Sequence, residues 1–129
     1  HRESFLKLIY EYVDIVFCNE SEVLSLFKND KLINCLGDLS SLCELVVVTL
    51  GSNGSLLVNK NDIQVIKSVT KEKVIDTTGA GDIYAGGFIH GLINNYSLKK
   101  CGKIASICAG QIITQLGSRS DIDLKELIK

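Results

Sequence analysis

The stretch VIDTTGAGDIYAGGFIHG, residues 74–91, decides how this chain is to be interpreted. Two apolar residues lead into Asp76, and the Gly-Ala-Gly turn at 79–81 stands directly before a carboxylate, Asp82. The small and apolar residues that follow predict a helix over 80–94. The N-terminus of a helix favours an anion such as phosphate, so a carboxylate at this place needs an explanation.

Four arrangements could produce this pattern. A dinucleotide-binding fingerprint would have two of its glycines at Gly79 and Gly81, but Tyr84 stands at the third position, and the acid would repel a pyrophosphate. A Walker A loop fails because Gly87 occupies the place of the required lysine. A plain glycine turn capped by Asp82 is the third arrangement, since aspartate is a good N-cap.

The fourth arrangement gives the glycines and the acid a joint use in phosphoryl transfer. Consecutive small residues at a helix start leave backbone N–H groups exposed, and these can bind negative charge that develops during a reaction. A carboxylate beside them can accept a proton from an attacking hydroxyl while the N–H groups hold the migrating phosphoryl group. The helix dipole favours the ionised form of Asp82.

The composition indicates a soluble globular protein. The chain has 129 residues, 46% hydrophobic and 22% charged, which is enough for one domain with a core. A net charge of −1 without a basic block argues against nucleic-acid or membrane binding. No apolar run could span a membrane and the N-terminus is no signal peptide, so we expect a cytoplasmic protein. The chain starts at His1 and contains no Met, so we expect a piece of a longer protein or a processed one.

The cysteines are predicted to be free thiols in a reducing compartment. There are five, an odd number, and none forms a CxxC pair. Cys101 and Cys108 are seven residues apart and share a helix face, where packing is the expected role because no histidine is near to complete a metal site.

Helical and extended patterns alternate along the chain. The periodicities predict helices over 3–11, 21–27, part of 31–43, 80–94, 98–115 and 123–128, and strands over 13–18, 45–50, 55–59, 63–69 and 73–76. This order predicts an α/β fold whose mostly parallel sheet has an antiparallel edge and is covered by helices.

The residues at 76–89, DTTGAGDIYAGGFI, closely resemble the C-terminal signature of the ribokinase-like (PfkB) family of carbohydrate and nucleoside kinases. Three more segments match in the family's order: VDIVFCNESE (13–22) resembles the N-x-x-E strand, VVVTLGSNGSLL (46–57) the T-x-G-x-x-G nucleotide segment, and CGKIASICAGQIITQLGS (101–118) the adenine-side helix. The resemblance implies a three-layer α-β-α, Rossmann-like core, of which residues 1–129 form the C-terminal part.

The resemblance also implies which residues carry out catalysis. Asp82 would be the catalytic base on the acceptor hydroxyl, and the amides of Gly79, Ala80 and Gly81 would form the anion hole.

The remaining implied roles concern ATP and its cations. Asn19 and Glu22 would organise Mg²⁺ near the ATP phosphates through water, which suits a cation that keeps much of its hydration. Thr49, Gly51 and Gly54 would line the phosphates and ribose, where glycine permits close approach. Ala109 would lie on the adenine side, and Asp76 and Thr78 would hold a monovalent cation such as K⁺.

Each of these motifs has a plainer explanation when taken alone. Asn19 and Glu22 are typical of a helix start, and GSNG at 51–54 is typical of a hairpin turn. Asp76 could cap the end of a strand, and His90 is expected to be an ordinary helix residue rather than a catalyst. Their joint order with the long signature favours the functional interpretation.

The expected function is therefore ATP-dependent transfer of a phosphoryl group to an alcohol group of a small sugar or nucleoside. Similarity of 81–92 and 97–119 to bacterial adenosine-kinase-like members favours adenosine; a fructokinase- or ribokinase-type acceptor and a non-catalytic nucleotide-binding module are the alternatives. The family's N-terminal acceptor pocket and β-sheet lid have no counterpart in this chain. We thus expect it to be inactive alone and, through an exposed sheet edge, to associate with itself.

Overall fold

A computed structural model describes residues 1–60, 62–68 and 79–113, without the side chains of 111–113. Its helices and strands are, in chain order, α1 (Arg2–Tyr12), β1 (Ile15–Asn19), α2 (Glu20–Leu26), α3 (Leu36–Leu42), β2 (Leu45–Thr49), β3 (Ser55–Asn59), β4 (Ile63–Ile66), α4 (Ala80–Ile93) and α5 (Leu98–Ile113). Short 3-10 turns at Leu32–Cys35 and Gly51–Asn53 precede α3 and follow β2.

Most predicted elements are present, and the differences are at their ends. The strand expected over 63–69 ends at Ile66, and the helix expected within 31–43 begins as a 3-10 turn before it becomes α3. The strand predicted over 73–76 and the helix predicted over 123–128 lie outside the described residues.

The four described strands form one sheet in the order β1-β2-β3-β4. β1 and β2 run parallel, so the chain needs a crossover between them, and α2 and α3 supply it. β2 and β3 are antiparallel, and the Asn59 N–H at the end of β3 donates to the Asp62 carbonyl, just before β4, at 3.0 Å. The predicted combination of parallel pairing with an antiparallel edge is confirmed.

The chain divides into two compact units. The first comprises His1–Gly51 and Ser55–Val65, and the second comprises Ser52–Gly54 and Ile66–Lys129.

In the first unit, α1, α2 and α3 cover one face of the sheet. Their shared core consists of buried aliphatic side chains and two thiols: Ile9, Val23, Cys35, Leu39, Leu42, Cys43, Val46, Val48 and Val58. Val47, which alternates to the opposite face of β2, is also buried. β2 is therefore buried on both faces, as its uncharged, β-branched sequence predicts. Truncation of a fully buried residue such as Leu39 to Ala would cost about 2–5 kcal/mol.

In the second unit, α4 packs against α5 as an antiparallel helical hairpin. The buried residues of α4 are Tyr84, Phe88 and Gly91, which recur at helical spacing on one face. Cys101 and Cys108 of α5 are buried, so their predicted packing role is confirmed.

All five cysteines are free thiols, as predicted. No helix in the part of the chain that the structure describes is long and apolar enough to cross a membrane.

Candidate functional site

The predicted Mg²⁺ residues, Asn19 and Glu22, lie at the start of α2 and bond to each other. The Glu22 N–H donates to Oδ1 of Asn19, and the Asn19 N–H donates to Oε2 of Glu22, both at 2.8 Å. This reciprocal pair is a capping box, which satisfies two N–H groups that the first turn cannot otherwise pair. The helix start suggested by the spacing is thus present, and one oxygen of each side chain is already engaged.

A polar row crosses the sheet at the end of β1 and β2. Asn19 is the parallel partner of Thr49, and Thr49 is the antiparallel partner of Ser55. The Thr49 hydroxyl donates to the Cys18 carbonyl at 3.4 Å, which ties the ends of the two strands together. The carboxyl ends of parallel strands are where α/β folds bind ligands. The structure therefore brings the predicted metal and nucleotide residues Asn19, Glu22 and Thr49 together at that edge.

Ser55 is a member of this row that the sequence did not single out. It is fully buried although it is polar. The signal that could have found it is its position, since a hydroxyl residue opens an apolar strand directly after the T-x-G-x-x-G segment.

The Cys18 thiol lies beside this edge and is kept protonated. Its pKa is raised from 9.0 to about 12, chiefly by burial, then by the negative charge of Glu22, and least by Cys43. A thiol binds metals and attacks substrates as the thiolate. With this pKa, the Cys18 thiol is not a nucleophile at neutral pH.

The two glycines of the predicted nucleotide segment, Gly51 and Gly54, differ in the space around them. Gly51 has φ +60°, and a Cβ atom there would meet nothing within 4 Å among the described residues. Gly54 has φ +93°, and its Cβ would lie 2.0 Å from the carbonyl oxygen of Ile66 and 3.0 Å from the N atom of Ser68. Gly51 thus has open space that a ligand could use, whereas the close approach at Gly54 is to the chain after β4.

The predicted catalytic residues lie at the start of α4, which no side chain caps. Gly79 is the N-cap residue in the left-handed conformation, φ +79° and ψ −3°. The Ile83 N–H donates to the Gly79 carbonyl at 3.0 Å, so the N–H groups of Ala80, Gly81 and Asp82 precede the first intrahelical bond. Among the described residues nothing lies within 4 Å of a Cβ built on Gly81, and Asp82 is exposed.

This arrangement can bind an anion and accept a proton. Three successive N–H groups lie at the positive end of a helix dipole, and only an acceptor from outside the helix can satisfy them. Asp82 places a carboxylate on the same turn, where solvent and a substrate can reach it.

Ala109 lies on α5 and is half-buried. Asp76 and Thr78, the predicted monovalent-cation residues, fall outside the described residues. The remaining predicted residues thus fall into a group in the first unit (Asn19, Glu22, Thr49 and Gly51) and a group in the second (Gly54, Gly79, Ala80, Gly81, Asp82 and Ala109).

The donor set at the start of α2 fits a hydrated cation. Of the described residues, no three His, Cys, Asp or Glu side chains are grouped closely enough to enclose a metal ion. Glu22 is exposed and has a second carboxylate oxygen beyond the one in the capping box. One carboxylate and one amide suit Mg²⁺ that keeps several waters, and they do not suit a cage made only of protein ligands.

Comparison with known proteins identifies the class. The sequence pattern described as pfkB family carbohydrate kinase matches residues 1–125. The chain is 31% identical to a nucleoside kinase from Methanocaldococcus jannaschii over 122 residues, which is 94% of this chain and 39% of that protein.

Solved structures agree with this result. Adenosine kinase from Sinorhizobium meliloti has a TM-score of 0.93 and 38% identity, over 98% of this chain and 39% of that one. Fructokinase from Vibrio cholerae O395, in fructose, ADP and calcium ion bound form, has a TM-score of 0.82 and 27% identity, over 99% of this chain and 44% of that one.

These comparisons confirm the predicted ribokinase-like α/β fold. The chain spans about two fifths of the length of the relatives it matches, 39% in the first two cases and 44% in the third. The pattern match, the identity to curated kinases and the shared fold together lead to one conclusion: the chain belongs to the pfkB family of carbohydrate kinases.

Proposed function

We propose that this chain is the nucleotide-binding and catalytic part of a kinase that transfers the γ-phosphoryl group of ATP to an alcohol group of a nucleoside or sugar. The observation that carries the proposal is the start of α4, where a left-handed glycine and three N–H groups without a helical acceptor stand next to the exposed Asp82. Phosphoryl transfer needs this combination of anion donors and a base.

In the proposed reaction, Asp82 accepts the proton of the acceptor hydroxyl as its oxygen forms a bond to the γ-phosphorus. The bond between that phosphorus and the bridging oxygen of ADP breaks, and ADP leaves with the electron pair. The amides of Ala80 and Gly81, which have no acceptor within the helix, and the amide of Gly79 before them would stabilise the charge on the phosphoryl oxygens during transfer. Asp82 later loses the proton to solvent, which its exposure permits.

The other predicted residues would bind and orient ATP. Thr49 and the open backbone at Gly51 would approach the phosphates, and Ala109 would contact the adenine side. Gly54 would help to shape the nucleotide segment without itself contacting ATP, because a Cβ atom there would meet Ile66 and Ser68.

Two cations belong to the proposal. Asn19 and Glu22 would hold Mg²⁺ through water, and bound Mg²⁺ would neutralise charge on the β- and γ-phosphates. Asp76 and Thr78 would hold a monovalent cation such as K⁺ that supports the anion hole.

We further propose that residues 1–129 form the C-terminal portion of a longer kinase, whose N-terminal portion carries the acceptor pocket and lid. In support, the chain matches only 39% of its curated nucleoside kinase relative. Moreover, β1 is the first strand in the sheet order, with one neighbour among the described strands. Apolar side chains of α1, such as Leu8 and Tyr12, are exposed. Alone, the chain is expected to be inactive and to associate with itself.

Adenosine is our preferred acceptor, and a sugar such as fructose or ribose is the alternative. The 38% identity to an adenosine kinase supports this preference, and the 36% identity to a probable sugar kinase from Rhizobium etli supports the alternative. The five free thiols support a reducing, cytoplasmic location.

The experiment is ADP release by the longer polypeptide with Mg·ATP and adenosine, other nucleosides, fructose or ribose, for wild type and Asp82→Asn. We expect release that depends on one acceptor class and is lost in the variant. Tight ATP binding without ADP release for any acceptor would favour the non-catalytic nucleotide-binding module instead. Acceptor-dependent release that Asp82→Asn leaves unchanged would contradict the role of Asp82 while leaving the kinase activity in place.

A further inference from the structure

Two glycines on α4 set how closely α5 approaches. A Cβ on Gly91 would lie 2.7 Å from Sγ of Cys101 and 3.1 Å from its Cα. A Cβ on Gly87 would lie 3.0 Å from Cα of Ala105 and 3.3 Å from Sγ of Cys108. Because the contacts at both positions include backbone atoms of α5, a larger residue would have to push the helices apart.

The same contacts give the register of the helical hairpin. Gly91 lies opposite Cys101, and Gly87, one turn earlier on α4, lies opposite Ala105, one turn later on α5. Continuing this antiparallel register by one more turn matches Ile83 with Ala109. Ala109 of the proposed adenine side and Asp82 of the proposed catalytic turn therefore belong to the same end of the α4–α5 hairpin.

We propose that Gly87 is a positioning residue for phosphoryl transfer: it allows the backbone contact with Ala105 that holds the Asp82 end of α4 at a fixed distance from the Ala109 end of α5. The inference rests on the proposed function, because it assigns Gly87 a role in that reaction. Gly87 itself touches neither ATP nor the acceptor in this proposal.

The position of Gly87 distinguishes it from Gly91. Gly87 is five residues after Asp82, whereas Gly91 lies one turn farther away, close to the loop where α4 ends at Ile93. A displacement forced at Gly87 therefore acts near the site, and one forced at Gly91 acts at the opposite end of the hairpin. Misplacement of reacting groups by about 1 Å can reduce a rate by about a hundredfold.

The test compares three alanine variants of the longer polypeptide. Gly87→Ala should lower kcat by at least about tenfold and raise KM for ATP, with KM for the acceptor unchanged. Gly91→Ala should lower the thermal midpoint but keep kcat within about twofold once corrected for the folded fraction. Gly86→Ala is the matched control, since a Cβ there meets none of the described residues within 4 Å, and it should preserve kcat and both KM values.

A rescue variant separates positioning from general packing. Cys108→Ala removes one of the atoms that an alanine at position 87 would meet and leaves the contact at Ala105 Cα. The double variant Gly87→Ala with Cys108→Ala should recover part of kcat, while Cys108→Ala alone should keep the wild-type value. The double variant also provides the measurement if Gly87→Ala does not fold.

Two results would overturn the inference. One is that Gly87→Ala keeps the wild-type kcat in its folded fraction, so that Gly87 only packs. The other is that Gly87→Ala and Gly91→Ala lower kcat equally, so that position along α4 makes no difference. Lack of activity in the wild-type longer polypeptide would instead contradict the proposed function, so the two failures are distinguishable.

Discussion

Two helix starts in this molecule solve the same physical problem in opposite ways. The start of α2 is capped by the protein itself, because Asn19 and Glu22 exchange hydrogen bonds at 2.8 Å. The first turn of α4 starts on the left-handed Gly79, which has no side chain that could accept from the bare N–H groups. A helix start with a side-chain cap stabilises the fold, whereas one without a cap leaves N–H groups available to a ligand. The difference separates the structural role from the proposed catalytic role.

The sharpest test of the bare helix start is Asp82→Asn in the longer polypeptide. Loss of the proposed base should lower kcat by about 10²–10⁴-fold with little change in ATP binding, because the lost interaction belongs to the transition state. Steady-state kinetics and ATP titration provide the measurement.

Asp38→Asn is its matched control, because Asp38 is an exposed acid in the first turn of α3. Its kcat should equal that of wild type. Equal losses in the two variants would mean that Asp82 is no more than a first-turn acid.

Alanine substitutions of the two glycines at the start of α4, Gly79 and Gly81, should change the unfolding free energy in opposite directions. Gly79→Ala forces a side chain into the left-handed region at φ +79° and should cost about 1–2 kcal/mol of unfolding free energy. Gly81→Ala lies within α4 and meets none of the described residues within 4 Å, so it should stabilise the helix by about 0.5–1 kcal/mol. Urea unfolding of both variants measures this difference.

For Gly81→Ala, the activity should fall although the stability rises. The Cβ of Gly81→Ala would enter the proposed anion hole, so this variant should be more stable yet less active. A Gly81→Ala enzyme with full kcat would show that the N-terminus of α4 does not bind the phosphoryl group.

The capped start of α2 is tested with variants of Asn19 that separate its capping role from its proposed metal role. Asn19→Ala removes the side-chain acceptor and should cost about 1 kcal/mol of unfolding free energy. Asn19→Ser keeps a capping oxygen and should lie within about 0.5 kcal/mol of wild type. If Asn19 also organises Mg²⁺, Asn19→Ser should raise the Mg²⁺ concentration needed for half-maximal activity. An unchanged Mg²⁺ requirement would leave Asn19 with the cap alone.

The smallest expected effect on stability is that of Glu22→Gln. Glutamine can still accept the bond from the Asn19 N–H, so the unfolding free energy should change by about 0.5 kcal/mol or less. The negative charge of Glu22 contributes to the raised pKa of Cys18, after burial. Its removal should lower that pKa below about 12, and alkylation of Cys18 by iodoacetamide above pH 9 should become somewhat faster.

Glu20→Gln is the control for this effect, since Glu20 is exposed in the same first turn and does not contribute to the Cys18 pKa. The assigned electrostatic contact would be wrong if both variants changed the alkylation rate to the same extent.

The contrast between the two helix starts also shows what a sequence can reveal. The start of α4 was predictable, because a glycine before a helical pattern can adopt the left-handed conformation that a turn into the helix needs, and it marks the helix boundary. The capping box was foreseen only as a plain alternative, because spacing suits both a cap and a metal site and cannot say which oxygens are engaged. Local patterns thus predicted where the residues lie but not whether their polar atoms are already used.

Gly54 and Gly87 show a second kind of information that the sequence does not contain, which is the identity of the atoms packed against a glycine. The sequence predicts that Gly54 lets the backbone approach a nucleotide, but it does not reveal that a Cβ atom at this position would meet Ile66 and Ser68. Gly87 appeared only as the residue that excludes a Walker A lysine, whereas its close contact is with Ala105. In both cases the deciding atom comes from another element, and no local pattern contains that information.

The pairing of strands and helices also has a consequence for the order of folding. β1 pairs with β2 across a crossover that contains α2 and α3, so Ile15 must find Leu45 far along the chain. The α4–α5 hairpin closes through a short loop after Ile93, and helices with local contacts form within microseconds, whereas non-local strand pairing is slower. We expect the helices that carry Asp82 and Ala109 to gain amide protection before the sheet in pulse-labelled refolding of the longer polypeptide. The proposed catalytic turn would then exist before the sheet edge that carries Asn19 and Thr49.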